Sequence, residues 1–175
     1  QFPQPHRGFA LLGVPGREVA AADVGITPTG RIVVAGTWTN QVHFSHDFLA
    51  ARFTAAGKLD GSFGDPETPG IQAVGFDRGG DRDDVVRTLH VYADGGLLLG
   101  GSARIDVPSY QFAALRLDPQ GMPVKTFGDA GQGVHIVCDV CLNAPLAGMV
   151  VQNDQRIGMV GSPTGEFFQD IGVLR

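Results

Sequence analysis

Three glycines close three similar phrases in this chain: PTGRIVVAG (28–36), ADGGLLLGG (93–101) and QNDQRIGMVG (152–161). Gly36, Gly101 and Gly161 stand 65 and 60 residues apart. Arg52, Arg116 and Arg175 mark the end of the next apolar run, 64 and 59 residues apart. Phe63 and Phe127, in LDGSFGD (59–65) and PVKTFGDAG (123–131), are separated by 64. Independent markers that keep one period mean tandem structural units rather than a single aperiodic fold. The units run approximately 8–69, 70–132 and 133–175 and make one repeat domain.

Each unit reads as four short strands. The first is FALLGV (9–14), IQAVGF (71–76) or VHIVCD (134–139), and the second is ADVGITP (22–28), RTLHVYA (87–93) or AGMVVQN (147–153). The third ends on the repeated glycine, and the fourth is DFLAARF (47–53), QFAALRL (111–117) or DIGVLR (170–175). Thr29-Gly30 and Asp94-Gly95 supply the positive φ that a two-residue hairpin turn requires. EVAAAD (18–23) has helical propensity, but its place in the repeat favours a strand. With 26 glycines, 11 prolines and 18% charged residues, the composition suits many short strands and tight turns. The fourth strand is apolar on both faces until its arginine, so it belongs in a sheet covered on both sides.

The expected fold class is therefore all-β: three four-stranded antiparallel repeats acting as β-propeller blades. Three blades form an open arc, since closed rings use 4–8. Two chains arranged head to tail about a two-fold axis would close a six-bladed ring, which makes a homodimer the expected partner; the rival reading is a piece of a longer propeller. The net charge of −5 argues against nucleic acid, and no apolar run is long enough for a membrane span.

At these phrases the sequence resembles the delta-60 repeat family, tandem bacterial units of a β-propeller-like domain of unknown function. The family pattern combines a D-G-x-I-V-V-A-G hairpin, D-F-A-L-A-R and L-D-x-S-F-G-x-x-G. It is matched here by TGRIVVAG, DFLAARF and LDGSFGD, then by ADGGLLLGG, QFAALRLDPQG and KTFGDAG. The third copy matches only through NDQRIGMVG and DIGVLR, and family members typically carry more than three copies. The resemblance implies the propeller fold and a bacterial protein, with no catalytic motif and no cofactor to carry over. A start at Gln1 followed by QFPQP fits a mature exported form, so the expected location is secreted, periplasmic or cell-surface.

Candidate chemistry is sparse. Cys138 and Cys141 form CDVC, read first as a local disulfide, with two free thiols or a redox or metal role as alternatives; a zinc site would want a second pair. DRGGDRDD (77–84) gathers Asp77, Asp81, Asp83 and Asp84, but misses calcium-loop spacing and carries Arg78 and Arg82 as counter-charges, so a solvated loop is preferred and no metal is expected. HFSH offers His43 and His46 beside Ser45 as weak catalytic candidates, a metal pair or a nucleophile–base pair, against a plain loop tip. Trp38, Phe44 and Tyr110, before the fourth strand, are weak candidates for an aromatic ligand-binding surface. Arg52, Arg116 and Arg175 recur in every unit, which favours tying carbonyls or a carboxylate at the blade edge over gripping an anion. The expected function is a non-enzymatic secreted or surface scaffold that binds protein or glycan. The alternative is a small secreted hydrolase or lyase using His43, His46 or Asp77 in the channel or blade loops. The first leads because no acid–base constellation repeats or converges.

Overall fold

The computed structural model describes residues 12–14, 17–40, 45–76, 83–106, 109–128, 133–137, 145–162 and 172–174. Among them are eleven β-strands and no helix. The first sheet is β1 (Arg17–Ile26), β2 (Ile32–Asn40), β3 (Ser45–Phe53) and β4 (Ile71–Val74), hydrogen-bonded in that order. The second is β5 (Val85–Val91), β6 (Leu97–Asp106), β7 (Ser109–Leu117) and β8 (Val134–Val137), again in chain order. The third holds β9 (Leu146–Val151), β10 (Ile157–Gly161) and β11 (Gly172–Leu174). Every pairing is antiparallel, and none of the sheets closes on itself. The protein is all-β, as its turn-rich sequence implies, and 18–23 lies within a strand.

One phase differs from the sequence reading. Ile71–Val74 was expected to open the second unit, yet it pairs with β3, Phe48 opposite Val74 and Ala51 opposite Ile71. Val134–Val137 likewise pairs with β7. Of the strand expected at 9–14, only 12–14 is described, and it is not strand. The LDGSFGD loop supplies the reason. Asp60 N donates to Arg52 O, Phe63 N to Asp60 O, and Arg52 N to Gly70 O, so the loop folds flat against the end of β3. The chain leaves it running back alongside the strand it has just completed, and neighbouring strands pair. The same bonds recur one repeat later, from Val124 N to Arg116 O, Phe127 N to Val124 O and Arg116 N to Gly133 O.

The repeated glycines have a structural cause. β1 and β5 each carry a bulge, between Ala21 and Asp23 and between Val86 and Thr88, and β10 shifts register against β9 between Val160 and Gly161. At each irregularity the partner strand presents the repeated glycine. A side-chain carbon at Gly36 would run into the carbonyl of Ala20, at Gly101 into that of Val85, and at Gly161 into that of Pro145. A bulge crowds two residues against one, and only hydrogen fits in the space left. The hairpin turns repeat as well: Gly30, Gly95 and Gln155 all have positive φ, and each donates its N–H to the carbonyl three residues earlier, of Thr27, Tyr92 and Gln152.

The sheets stack face to face. Val33, Ala35, Phe48 and Ala50 of the first pack against Leu97, Leu99, Ala113, Leu115 and Leu117 of the second. The opposite face of the second sheet, Leu98, Phe112 and Ala114, packs on Leu146, Met149, Ile157 and Met159 of the third. β3 and β7 are accordingly buried on both faces, as their double-sided apolar pattern requires. Burying each Phe or Leu of these seams is worth about 1.5–3 kcal/mol relative to exposure, so the two seams hold the stack together. The outer face of the first sheet gathers Trp38, Leu49, Ala51, Phe53 and Ile71, with Leu12 and Val14 against it.

Candidate functional site

The polar convergence lies where the first and second sheets meet, at the start of β3 and the β6–β7 end. The chain just before β5 forms a short parallel bridge with β3, His46 beside Asp83, and Asp84 N donates to His46 O at 3.0 Å. Asp84 is buried, and its carboxylate accepts the backbone N–H of Phe76 at 2.7 Å, which fixes the backbone on which Asp83 stands. On the facing hairpin, register sets Arg104 opposite Tyr110.

Asp83 is the hub. The Tyr110 hydroxyl donates to its Oδ2 at 2.5 Å, and Arg104 brings a guanidinium nitrogen within 3.7 Å of the same oxygen. The Arg104 guanidinium carbon lies 5.6 Å from the centre of the Tyr110 ring, within cation–π range. His46 Nδ1 stands 2.5 Å from Asp83 Oδ1 but off the axis of an N–H bond, so the pair is a close electrostatic contact rather than an aligned hydrogen bond. Burial pushes the Tyr110 hydroxyl above its ordinary pKa, and the bond to Asp83 pushes it the same way, so the phenol stays protonated and acts as a donor.

His46 and Tyr110, singled out separately in the sequence, are thus brought onto one carboxylate. Asp83 falls in a run that reads as a solvated loop, and Arg104 carries no motif of its own. The available signal was that the acidic run and the RIDVPSY hairpin belong to the second unit alone, where the repeat is interrupted. Ser45 is buried, and strand alternation sends it to the face opposite His46, so the two do not form a nucleophile–base pair. Trp38 is a strand residue, not a loop one; it is buried on the outer face of the first sheet with the Arg17 guanidinium 4.8 Å from its ring centre, apart from Tyr110. Tyr110 is likewise within a strand. His43, Phe44, Asp77, Arg78, Asp81, Arg82, Cys138, Cys141 and Arg175 lie outside the described residues. Among the described residues no group of three or more His, Cys, Asp or Glu is arranged to hold a metal.

The two repeated arginines among the described residues, Arg52 and Arg116, hold separate partners. Arg52 donates Nε to Asp60 at 3.0 Å and one terminal nitrogen to Ser62 at 3.1 Å; the other reaches the carbonyl of Pro119 in the next unit. Its guanidinium also lies over Phe63, 4.7 Å from the ring centre. Arg31 donates to the same Asp60 oxygen at 2.8 Å. Burial alone would raise the Asp60 pKa, but the bonds from Ser62 and Arg31 and the charge of Arg52 outweigh it and hold the carboxyl at about 2. Arg116, its counterpart, meets Val124 where Arg52 meets Asp60. It lies over the ring of Tyr92 at 3.3 Å and only 3.9 Å from Asp94, beside a cleft of about 270 Å³ lined also by Thr126, Phe127 and Gln155.

A carboxylate, an imidazole, a phenol and a guanidinium present donors and acceptors in one patch around Asp83, with an aromatic face beside them. No protein-family model matches the chain, and comparison with curated proteins gives no significant match.

Proposed function

We propose that the chain is a β-propeller scaffold of the delta-60 repeat type, exported by a bacterium, that binds a glycan or protein ligand at the junction of its first two sheets without catalysing a reaction. The convergence of His46, Tyr110 and Arg104 on Asp83 carries the reading. Planar polar groups beside an aromatic ring suit hydroxyl-rich ligands, whose O–H groups meet the carboxylate and guanidinium while an apolar face lies on the ring. The stacked four-stranded sheets and the repeat-for-repeat hydrogen bonds support blades as the architecture.

Titrating isotope-labelled protein with a panel of neutral and acidic oligosaccharides tests this. Shifts clustered at His46, Asp83 and Tyr110, lost in Asp83→Asn with the rest of the spectrum kept, are the expected outcome. Shifts elsewhere, or none with any ligand, would remove the site. The His46–Asp83 contact favours one second reading, a hydrolase in which the carboxylate orients the imidazole as a general base. Turnover of an ester or glycoside substrate that His46→Ala abolishes would put that reading first.

A further inference from the structure

The chain builds the same arginine cradle twice and supplies a carboxylate to it once. In the first unit Arg52 Nε donates to Asp60 Oδ2 at 3.0 Å, and the hydroxyl and backbone N–H of Ser62 donate to Asp60 Oδ1 at 2.7 and 3.2 Å. In the second unit the backbone follows the same path. Val124 N donates to Arg116 O as Asp60 N does to Arg52 O, and Phe127 N to Val124 O as Phe63 N does to Asp60 O. The arginine, the hydroxyl and the ring recur as Arg116, Thr126 and Phe127. The acid does not. DGS (60–62) becomes VKT (124–126), which exchanges the carboxylate for a valine and adds an exposed cation, Lys125. Both loops are described throughout, so the exchange is a property of these two triplets alone.

Arg116 has changed its surroundings without gaining a substitute for that acid. Its side chain is only 20% exposed, and its guanidinium lies over the ring of Tyr92 at 3.3 Å. Stacking engages the face of the guanidinium and leaves its N–H donors pointing outward in the plane. Asp94 does not answer them. Its Oδ2 stands 3.9 Å away, beyond hydrogen-bond reach, and its Oδ1 accepts the N–H of Gly96 at 2.8 Å. No carboxylate among the described residues lies closer to Arg116. A largely buried guanidinium in this position carries a desolvation cost that an anion relieves. The cleft beside it has apolar walls at Val124, Phe127 and Ile157, and polar ones at Thr126 and Gln155.

We propose that Arg116, Thr126 and Lys125 form a site for a small organic carboxylate with an apolar tail, bound where the first unit holds the Asp60 side chain. The guanidinium fork matches a carboxylate with two parallel N–H···O bonds, and the Thr126 hydroxyl supplies the donor that Ser62 supplies to Asp60. The tail lies along Val124, Phe127 and Ile157, which sets an organic acid apart from an inorganic anion. This rests on neither the Asp83 site nor the propeller reading.

Titrating isotope-labelled protein with butyrate, butyramide and inorganic phosphate at fixed ionic strength tests it. Butyrate is expected to shift the Arg116 side-chain N–H and the amides of Thr126 and Gln155; butyramide is expected to shift none of them, and phosphate to bind at least about 10-fold more weakly. Val124→Asp returns the acid to its repeat position, so it should raise the urea midpoint and weaken butyrate binding at least about 10-fold. Val124→Thr, alike in shape but uncharged, should keep the binding. Thr126→Val, at an exposed position where folding is not at stake, should weaken it about 5-fold by removing one hydrogen bond. No butyrate shifts in wild type, equal binding of butyramide or phosphate, or unchanged butyrate affinity in both Val124→Asp and Thr126→Val would overturn the proposal. Butyrate shifts confined to His46, Asp83 and Tyr110 would also overturn it, and would leave the site at the first seam standing.

Discussion

The two seams of the stack are built from the same apolar device and different polar ones. At the seam between the first and second sheets, Thr37 Oγ1 accepts the backbone N–H of Val86 at 3.3 Å; at the next, Ser102 Oγ accepts that of Leu146 at 2.8 Å, one repeat on. Phe48 on Gly101 is answered by Phe112 on Gly161. Among the described residues the carboxylate ties do not recur. Asp23 accepts the N–H of Leu89 at 2.8 Å across the first seam, while Thr88 and Gly148 hold its place in later units. Asp60 anchors two arginines, and Val124 anchors none. The difference separates two kinds of constraint. Packing must repeat because each sheet of the stack meets a sheet of the same pattern, whereas polar groups at the rim are free to vary.

The comparison breaks most visibly at the glycines. Gly101→Val drives side-chain atoms into the Val85 carbonyl and the Phe48 ring, and is expected to cost about 4 kcal/mol or to prevent folding. Gly148→Ala, whose nearest neighbour would be Val160 at 3.7 Å, is expected to change stability by less than about 0.5 kcal/mol. Urea titration of both reads the contrast. Next in size, Phe48→Ala and Phe112→Ala should each cost about 3–5 kcal/mol, because both rings are fully buried. Agreement within about 1 kcal/mol supports a shared device; a far smaller loss for Phe112→Ala would show that the second seam is held otherwise.

Asp60 sharpens the polar side. Asp60→Asn should cost about 2 kcal/mol at neutral pH by loosening the charge-assisted bonds from Arg31 and Arg52. The folded carboxyl titrates at about 2 against an ordinary 3.8, so its contribution is complete above about 4 and is lost as pH falls through 2. Urea midpoints measured down this range should fall more steeply for wild type than for Asp60→Asn; parallel curves would remove the ion pair from the account. The smallest effect is expected at the candidate site. Tyr110→Phe removes one hydrogen bond to Asp83 and should lower stability by about 1 kcal/mol, measured by thermal unfolding, while ligand binding falls further.

The repeat was legible because its markers are steric. Gly36, Gly101 and Gly161 recur since a bulge leaves no room for a side chain, and that demand is written in every copy. The candidate site was only half legible. His46 and Tyr110 lie 64 residues apart and showed their chemistry singly; what joins them is Asp83, in a run whose charge balance read as solvated. No local pattern encodes such a meeting, because it depends on which loop of one sheet faces which hairpin of the next.

The sequence by itself determined the period, the strand class and the apolar character of both faces of β3 and β7, since these follow from side-chain volume, turn geometry and alternation along one strand. Only the tertiary structure decided the phase. It assigned Ile71–Val74 to the first sheet rather than the second, and it chose Asp83 as the group on which His46, Tyr110 and Arg104 converge. A period fixes distances along the chain. Which strand pairs with which, and which side chains meet across a seam, is set by backbone hydrogen bonds and packing between residues that the period leaves unassigned.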